Sequence, residues 1–280
     1  MNWWGQLTGA AGALYACIVH EQTVRHRFFA SALSPPAVVL GEAEAHHALH
    51  VLRLRAGEPI ELFDGQGRWA IGRIAAGGRR EVNVQVESVH GPVLRPRPRI
   101  HLAFALPKGK RLDWLLEKAA ELGAASLHML ICSRSVVTPA GGPAALARYQ
   151  AICVSAIRQS RQLYLPQIDP PAELVKFLAA PHAGVRILAD CGPQTPPLRL
   201  MAGPPAAEDV TVLIGPEGGW SPEEIAQARQ REFQPARLGS STLRVETAAI
   251  AITAAIGALY DVFQSAPPCA ATDHHPSEGG

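Results

Sequence analysis

Aromatic and charged residues are scarce in this sequence, and no apolar stretch is long enough to span a membrane. Of its 280 residues, 6% are aromatic, 18% are charged and 48% are hydrophobic, which is the composition of an ordinary soluble globular protein. The apolar run from Ala10 to Val19 is shorter than the ~20 residues that a membrane helix needs, and the residues before it lack the positive charge of a signal peptide. We therefore expect a chain with no membrane partner.

Cysteine is also scarce, and its spacing argues against two kinds of small stabilised fold. The five cysteines are odd in number and form no C-x-x-C pair, so the sequence suggests neither a disulfide framework nor a zinc knuckle. A reducing cytoplasm is the simplest location for such a chain. His46 and His50 have i, i+4 spacing, but no Glu base or third ligand accompanies them, so we predict no metal site. The cysteines are Cys17, Cys132, Cys153, Cys191 and Cys269.

The first half of the chain has the period-two pattern of a small antiparallel sheet or barrel. Between Ile60 and Val89, apolar residues alternate with polar ones, and the turn dipeptides Asp64-Gly65 and Gly77-Gly78 separate the runs. Alternating runs joined by such dipeptides are typical of consecutive hairpins. Before them, Gly41 to Leu54 is predicted to form a short helix whose leucines pack inward.

A stiff, extended linker is predicted at Pro92 to Arg99, a segment that holds three prolines and three arginines. We place a domain boundary there, because the chain is long enough for two domains of roughly 100–200 residues. We expect residues 24–92 and 100–263 to form the domains, with residues 93–99 as the linker. Residues 1–23 are expected to be an extension, disordered or a mis-assigned start, and residues 264–280 a disordered tail.

After the linker, the pattern changes to strands that alternate with helices. This alternation indicates an α/β fold in which helices cover both faces of a parallel sheet. In such sheets, ligands bind at the carboxyl ends of the strands. The predicted strands are residues 101–107, 127–132, 185–190 and 210–215, and the predicted helices are residues 110–123, 144–162 and 222–232.

Two loops that contain glycine lie where an apolar strand gives way to a helix. The first, Ile214 to Gly219, is followed by Ser221 and Glu224 at the spacing of a capping box, which fixes the loop between a strand end and a helix start. Its glycines would let a ligand approach the backbone, although tight turning alone is the alternative. A phosphate loop is disfavoured, because neither a Gly-Lys-Ser/Thr ending nor G-x-G-x-x-G is present.

The second loop, Gly239 to Thr242, brings Arg244 and Glu246 to the start of a helix rich in alanine. Small side chains on that helix permit close packing across a tight loop or a subunit interface, and simple helix propensity is the alternative. Arg244 and Glu246 could pair with each other, but their position beside a glycine loop favours a role in a site. Together, the two loops predict a ligand site.

Clusters of basic residues suggest an anionic partner. Arg158 and Arg161 lie at i and i+3 and so share one face of a predicted helix. The segment Pro107-Lys108-Gly109-Lys110-Arg111 places three cations at a helix start, where the helix dipole disfavours positive charge. A phosphate partner would explain this placement, although a solvated face is the ordinary alternative for each cluster. Residues 25–99 also hold more basic than acidic residues, which is compatible with a polyanionic partner.

Taken in order, the motifs resemble those of the bacterial small-subunit ribosomal RNA methyltransferases that methylate N3 of a uridine, a family of the SPOUT superfamily. The resemblance runs from about Arg25 to about Phe263. Each motif is weak alone, and their order makes them specific. The motifs are Arg27-Phe28-Phe29, Val51-Leu52-Arg53, Phe63-Asp64-Gly65, Glu117 to Gly123, Gln159-Ser160, Leu213 to Gly219, and Leu238-Gly239 followed by Leu243 to Ala248.

The resemblance implies an N-terminal PUA-like β-barrel that binds RNA and a C-terminal trefoil-knotted SPOUT methyltransferase domain of the α/β class that binds S-adenosylmethionine and forms a homodimer. The RNA that it implies is 16S ribosomal RNA of the small ribosomal subunit. The residues implied in cofactor binding are Ala189, Ile214, Gly215, Pro216, Gly218, Gly219, Leu238, Gly239, Ser240 and Leu243. The residues expected to contact RNA phosphates are Arg25, Arg27, Arg53, Arg55, Lys108, Lys110, Arg111, Arg158 and Arg161.

Methylation of uridine N3 requires an unpaired base, a methyl donor held in line and removal of the imide proton. Our hypothesis is that Glu246 or Glu217 takes this proton, directly or through water, while Arg244 steadies the uracil anion. Two alternatives stay open. The methyl acceptor could be a ribose 2′-hydroxyl or another RNA, or the chain could be an RNA-binding ribosome assembly protein without catalysis.

Three positions depart from the pattern of the family. Ser240-Ser241-Thr242 stands where the family has an arginine, Val245 stands where it has threonine, and Arg158 stands where it has glutamate. We expect cofactor binding, which uses mostly backbone groups, to survive these changes. Catalytic efficiency and the fit to RNA are the properties that they would alter.

Overall fold

The computed structural model describes residues 26–77, 81–107, 110–135, 141–192, 194–198 and 208–259. The predictions made for residues 1–23, for residues 264–280, for Arg25 and for Lys108 lie outside these residues. The described chain forms two sheets, each with its own helices. We retain the division into residues 24–92, 93–99 and 100–263 as a proposal, although the second sheet already begins at Arg99.

The first sheet has five strands in the order β1-β3-β4-β5-β2. Strands β3, β4 and β5 pair antiparallel, as the alternating pattern predicted; β2 adds antiparallel to β5, and β1 joins β3 in parallel. A short helix continues as a π-helical turn between β2 and β3. The elements are β1 (Arg27–Phe29), β2 (Ala37–Leu40), α1 (Glu42–His46) with the π turn (His47–Val51), β3 (Pro59–Phe63), β4 (Trp69–Gly77) and β5 (Val82–His90).

The second sheet has six parallel strands in the order β11-β9-β10-β6-β7-β8. Helices lie between the strands along the chain, which confirms the α/β class. The strands are β6 (Arg99–Ala105), β7 (Ser126–Ile131), β8 (Gln167–Glu173), β9 (Val185–Ala189), β10 (Asp209–Ile214) and β11 (Gln234–Ala236). The helices are α2 (Arg111–Glu121), α3 (Pro143–Ser160), α4 (Leu174–Ala179), α5 (Pro222–Gln230) and α6 (Val245–Leu259).

Helix α2 shows how the sequence sets a local element. Leu112, Leu115, Leu116 and Ala119 recur at helical spacing and are buried against the sheet, as their pattern predicted. The helix ends where Gly123 adopts a positive φ of 75° and its N–H bonds the Ala120 carbonyl. The apolar face of this helix therefore fixes the position of its first residue.

Five short elements were missed by the sequence patterns. They are too short to show a clear period, and strand β8 also contains Pro170 and Pro171. Proline cannot donate a ladder hydrogen bond, and β8 tolerates it because it is an edge strand. The missed elements are β1, β2, β8, β11 and α4.

A hairpin loop of the first sheet docks against the second sheet through main-chain hydrogen bonds. The Gly67 N–H donates to the Leu163 carbonyl (3.0 Å), and the Leu165 N–H donates to the Gly65 carbonyl (2.8 Å). A Cβ atom at Gly67 would lie 2.4 Å from the Tyr164 hydroxyl, so only glycine fits there. The two sheets are thus joined by closely packed backbone.

Arg27, which was predicted to contact RNA, is instead buried at this junction. Its guanidinium is 2.6 Å from a Glu61 carboxylate oxygen, donates to the Ile157 carbonyl (3.1 Å) and lies over the Phe63 ring. Only 6% of its side chain is exposed. We correct the prediction for Arg27: it joins β1 and β3 to helix α3, because its charge is paired with Glu61 and its Nη1 donates to Ile157 inside the protein.

Arg158 also points to the first sheet. Its guanidinium hydrogen-bonds a Glu44 oxygen, and the other Glu44 oxygen accepts the Phe29 N–H at 3.2 Å. Burial raises the pKa of Glu44, and the positive charge of Arg158 opposes that effect. The structure therefore gives Arg158 a role at the junction of the two sheets, where the sequence had predicted a phosphate contact.

We predict that Arg158→Ala destabilises the protein by about 1–3 kcal/mol, since it leaves the half-buried Glu44 carboxylate without its charged donor. The matched control is Arg161→Ala, because 58% of the Arg161 side chain is exposed and its nearest carboxylate contact, with Glu61, is 3.7 Å long. Because this contact is long and Arg161 is largely exposed, it should contribute no more than ~1 kcal/mol. Urea unfolding of both variants measures the difference, and equal losses would contradict an internal role for Arg158.

Candidate functional site

Strands β9, β10 and β11 end side by side, which brings three loops to one edge of the parallel sheet. Ile214 at the end of β10 pairs with Ala189 at the end of β9, and Ala189 pairs in turn with Ala236 at the end of β11. Carboxyl ends of parallel strands are where α/β sheets bind ligands. The three loops therefore meet at the place where the sequence predicted a site.

The loops enclose a cavity of about 270 Å³. It contains every residue predicted to bind the cofactor except Ser240, while the neighbouring Ser241 and Thr242 line it instead. Cys191, also on the cavity wall, is exposed. The predicted residues that line the cavity are Ala189, Ile214, Gly215, Pro216, Gly218, Gly219, Leu238, Gly239 and Leu243.

Trp220 determines the shape of the loop that follows β10. Its indole N–H donates to the Ala189 carbonyl (3.0 Å), and its ring packs so closely that a Cβ at Gly215 would lie 2.7 Å from it. Gly219 closes the loop with a positive φ of 72° and donates its N–H to the Pro216 carbonyl. Gly215 is therefore required by packing against Trp220, whereas Gly239 has no atom within 4 Å of its Cβ position.

The capping box predicted at Ser221 and Glu224 is confirmed, and it does more than cap helix α5. One Glu224 oxygen accepts the Ser221 N–H (2.8 Å), and the other accepts the Ser133 N–H (2.8 Å) from the loop after β7. The buried carboxylate thereby ties two strand ends together. In the same loop, Arg134 donates to the Gly218 carbonyl at 3.0 Å, a support that the sequence patterns missed.

Two of the predicted catalytic residues come together around Arg111. Arg111 Nη1 is 2.7 Å from Glu217 Oε1 and 3.5 Å from Glu246 Oε1. Glu217 lines the cavity, and Glu246 lies in the first turn of helix α6 between the lining residues Val245 and Ala248. Only 8% of the Glu246 side chain is exposed, and its Oε2 is buried without a hydrogen-bond partner. A buried acceptor of this kind favours a ligand that donates a hydrogen bond.

Arg244, the third predicted catalytic residue, lies directly before helix α6 with an exposed side chain. Its carbonyl accepts the Ala248 N–H at 2.8 Å, which fixes the backbone at the helix start. Arg244 lies in the sequence between Leu243 and Val245, two residues that line the cavity. The structure does not pair Arg244 with Glu246, since the nearest basic group to Glu246 is that of Arg111.

The remaining predicted RNA-binding residues fall into two groups. Arg53, Arg55, Lys110 and Arg161 are exposed, as a phosphate contact requires. Arg27 and Arg158 form ion pairs at the junction of the two sheets, and Arg111 lies among carboxylates. Sequence spacing could not separate these two groups of basic residues, because residues far away in the chain determine which of them are buried.

A larger cavity of about 970 Å³ lies at the opposite, amino-terminal edge of the parallel sheet. Its polar groups bond each other: Arg99 binds both Asp209 oxygens at 2.7 Å, and His101 bridges Asp209 (3.0 Å) and Ser126 (2.7 Å). Burial works to raise the pKa of Asp209, but the hydrogen bonds from Arg99 and His101 outweigh it and lower that pKa. We interpret this larger cavity as a gap between the two packed sheets, and the smaller cavity as the candidate site.

Within the described ranges, no cluster of three or more histidine, cysteine, aspartate or glutamate side chains is arranged to hold a metal ion. In the same ranges, no helix has the length and apolar character to cross a membrane. Cys132 and Cys153 are buried, and burial raises the pKa of each thiol to about 12. These two thiols are therefore unreactive packing residues.

We predict that Gly215→Ala and Gly239→Ala differ in stability, although both glycines line the cavity. The first change forces a methyl group into the Trp220 ring and should destabilise the protein by about 1–3 kcal/mol. The second meets open space at an ordinary φ and should be neutral or stabilising by up to about 1 kcal/mol. Thermal unfolding of the two variants tests this, and equal midpoints would show that Trp220 does not constrain Gly215.

Comparison with known proteins agrees with this site. A family model described as an RNA methyltransferase domain matches residues 95–257, and another, described as an RNA methyltransferase PUA domain, matches residues 40–87. Ribosomal RNA small subunit methyltransferase E of Synechocystis is 31% identical over 80% of this chain and 74% of that protein. The enzyme of the same name from Mycobacterium bovis is 32% identical over 80% of this chain and 86% of that protein.

A solved structure supports the same relationship. The ribosomal RNA small subunit methyltransferase E of Neisseria gonorrhoeae, bound to S-adenosyl methionine, superimposes with a TM-score of 0.75 at 28% identity, over 84% of this chain and 98% of that one. The two sheets thus have the fold class that the sequence predicted, a PUA-type sheet followed by a SPOUT-type methyltransferase sheet. The chain belongs to the RNA methyltransferase family that includes ribosomal RNA small subunit methyltransferase E.

Proposed function

We propose that this chain transfers a methyl group from S-adenosylmethionine to N3 of a uridine in 16S ribosomal RNA of the small ribosomal subunit. The observation that carries the proposal is the buried Glu246 carboxylate, whose Oε2 has no hydrogen-bond partner, beside a cavity at the carboxyl edge of the parallel sheet. The names of the relatives support the ribosomal RNA substrate and the cofactor. The choice of uridine N3 rests on the sequence motifs and on the chemistry of this carboxylate.

The residues of the cavity fit S-adenosylmethionine. Open space beside Gly239 and the main chain of residues 214–219 offer backbone groups to an adenosine, as the sequence suggested. Two carboxylates, Glu217 and Glu246, surround a single guanidinium at one side of the cavity. The excess negative charge favours a cation, and the cofactor supplies an electrophilic methyl group on a positively charged sulfur.

Glu246 is the residue that we propose as general base. The imide N–H of a uracil is a donor that satisfies the unpartnered Oε2, and the proton passes to that oxygen as N3 attacks the methyl carbon. The new N3–C bond forms while the sulfur–carbon bond breaks, and the electron pair of that bond stays on the sulfur. Arg244, exposed at the start of helix α6, would steady the negative charge that develops on the uracil oxygens.

RNA binding is proposed for the basic residues that the structure leaves exposed. Arg53 and Arg55 follow the π-helical turn of the first sheet, while Lys110 and Arg161 lie at the start of α2 and the end of α3. Phosphate contacts from both sheets would hold the RNA without sequence information. Because N3 lies on the pairing edge of the base, the target uridine must be unpaired when it reacts.

A second copy of the chain is the other proposed partner. Helix α6 buries one face against α2 and strands β6 and β10, while Ala251 and Ala254 stay half-buried on another. Such small side chains permit close approach of a neighbouring helix. Trp114 of α2 and Leu259 of α6 are exposed large apolar residues on the same pair of helices, which fits a homodimer through this face.

We expect the wild-type protein to incorporate tritiated methyl groups from S-adenosylmethionine into undermethylated small-subunit particles, and nucleoside analysis to identify N3-methyluridine. Glu246→Gln should lower the rate by at least about 10²-fold, since it removes the proton acceptor. Glu232→Gln is the matched control, because 80% of the Glu232 side chain is exposed and Glu232 does not line the cavity. A 2′-O-methyl nucleoside would support the ribose alternative, and RNA binding without incorporation would support a non-catalytic assembly protein.

We predict that Gly239→Val blocks the cofactor while leaving the fold intact. The added side chain enters open space at the cavity and should weaken S-adenosylmethionine binding by about tenfold or more, the effect of ~1.4 kcal/mol of overlap. Gly142→Val is the matched control: Gly142 precedes helix α3, has extended backbone angles and also has nothing within 4 Å of its Cβ position. Calorimetric titration compares the two, and wild-type affinity in a folded Gly239→Val variant would place the cofactor elsewhere.

A further inference from the structure

Arg111 is the first residue of helix α2, a position where the helix dipole disfavours a cation. The sequence suggested that an RNA phosphate would explain this placement. The structure offers a different explanation, because the Glu217 and Glu246 carboxylates already surround the guanidinium. The guanidinium hydrogen-bonds both carboxylates, and these bonds, above all the one to Glu217, raise the pKa of Arg111.

The charge of this cluster argues against a phosphate contact. The Glu217 and Glu246 carboxylates lie beside the guanidinium, so an approaching phosphate would be repelled by these carboxylates as well as attracted by the guanidinium. Arg53, by contrast, is exposed. The two arginines therefore differ in what they can bind, although the sequence assigned them the same role.

The geometry of the cluster leaves one oxygen available for chemistry. Arg111 Nη1 faces Glu246 Oε1 at 3.5 Å, and Glu246 Oε2 is the atom without a partner. The guanidinium thus holds one oxygen of the carboxylate and leaves the other to a ligand.

Among the described residues, Arg111 is a basic side chain in contact with Glu246. Helices α2 and α6 pack together, and this packing keeps Arg111 at the Glu246 end of α6. Strands β6 and β10, which also pack against α6, end at this edge in Ala105 and Ile214, both apolar. In the described part of the chain, Arg111 contacts Glu246 directly, and Glu217 acts on it through Arg111.

We propose that Arg111 is a positioning residue for the methyl transfer: it contacts Glu246 Oε1 and so leaves Oε2 presented to the N3 proton of the uridine. Glu217 completes the arrangement by fixing the guanidinium from the cavity side. Arg111 does not contact RNA phosphate. The inference rests on the proposed function for the identity of the proton donor, while the Arg111–Glu246 contact stands on the structure itself.

The experiment compares Arg111→Met, which keeps the length of the side chain and removes its charge, with Arg111→Lys, which restores a cation. At neutral pH, Arg111→Met should lower kcat by about 10²-fold with little change in KM, because the Glu246 carboxylate is no longer held in place. Arg111→Lys should recover part of this loss. Arg148→Met is the control, because it removes an exposed ion pair with Asp113 of the same helix.

RNA affinity at several salt concentrations separates positioning from phosphate binding. Arg53→Ala should flatten the salt dependence by about one unit of slope, whereas Arg111→Met should keep the wild-type slope. A flattened slope for Arg111→Met with a wild-type kcat would make Arg111 a phosphate contact and overturn the proposal. Wild-type kinetics in Arg111→Met would overturn it as well.

A readout that does not need activity keeps this inference separate from the proposed function. If Arg111 holds Glu246, the urea midpoints of Arg111→Met, Glu246→Gln and the double variant should be non-additive. Additive shifts would overturn the pairing even in an active enzyme. If the wild type makes no N3-methyluridine but the shifts are non-additive, the proposed function fails while the Arg111–Glu246 pairing is upheld.

Discussion

The parallel pairing of strand β10 is the constraint on which the rest of the second sheet depends. All six of its residues, Asp209–Ile214, are buried, and it pairs in parallel with β6 on one side and β9 on the other. A strand covered on both faces cannot slip by one residue without turning its side chains to the opposite face. Its last residue is therefore fixed beside Ala189, and the loops that follow both strands must meet. The cavity is a consequence of this register rather than of any single glycine.

The candidate site could be predicted from sequence wherever it is built from local signals. A strand followed by a glycine loop and the Ser221–Glu224 capping box specifies its own geometry within about ten residues, and the structure confirms it. The second function of Glu224 could not be predicted, since its bond to the Ser133 N–H joins residues 91 positions apart. The same holds for Arg134, whose contact with Gly218 depends on how β7 and β10 lie in the sheet.

Arginine is the residue type for which sequence reasoning was least reliable. Pattern and spacing treated Arg27, Arg53, Arg111 and Arg158 alike, as cations for RNA, yet only Arg53 of these is exposed. Arg27 bonds a carbonyl 130 residues away in the chain, and Arg158 pairs with a glutamate 114 residues away. A buried guanidinium needs carboxylates and carbonyls around all its donors, and only the tertiary fold decides where these are present. The departure of Arg158 from the family pattern also gains a physical reason, because Glu44 provides its partner.

Glu246 and Glu44 show how burial can serve chemistry or architecture with the same side chain. Both are carboxylates in largely buried positions beside one arginine. Both Glu44 oxygens are satisfied, one by Arg158 and one by the Phe29 N–H, so this carboxylate has nothing to offer a ligand. Glu246 Oε2 has no hydrogen-bond partner among the described residues, and the nearby Val245 and Ala248 line the cavity, so a bound N–H donor could supply the missing hydrogen bond. The two glutamates therefore differ in whether both carboxylate oxygens have hydrogen-bond partners, a difference that neither sequence spacing nor burial alone reveals. This difference is our reason for proposing a chemical role for Glu246.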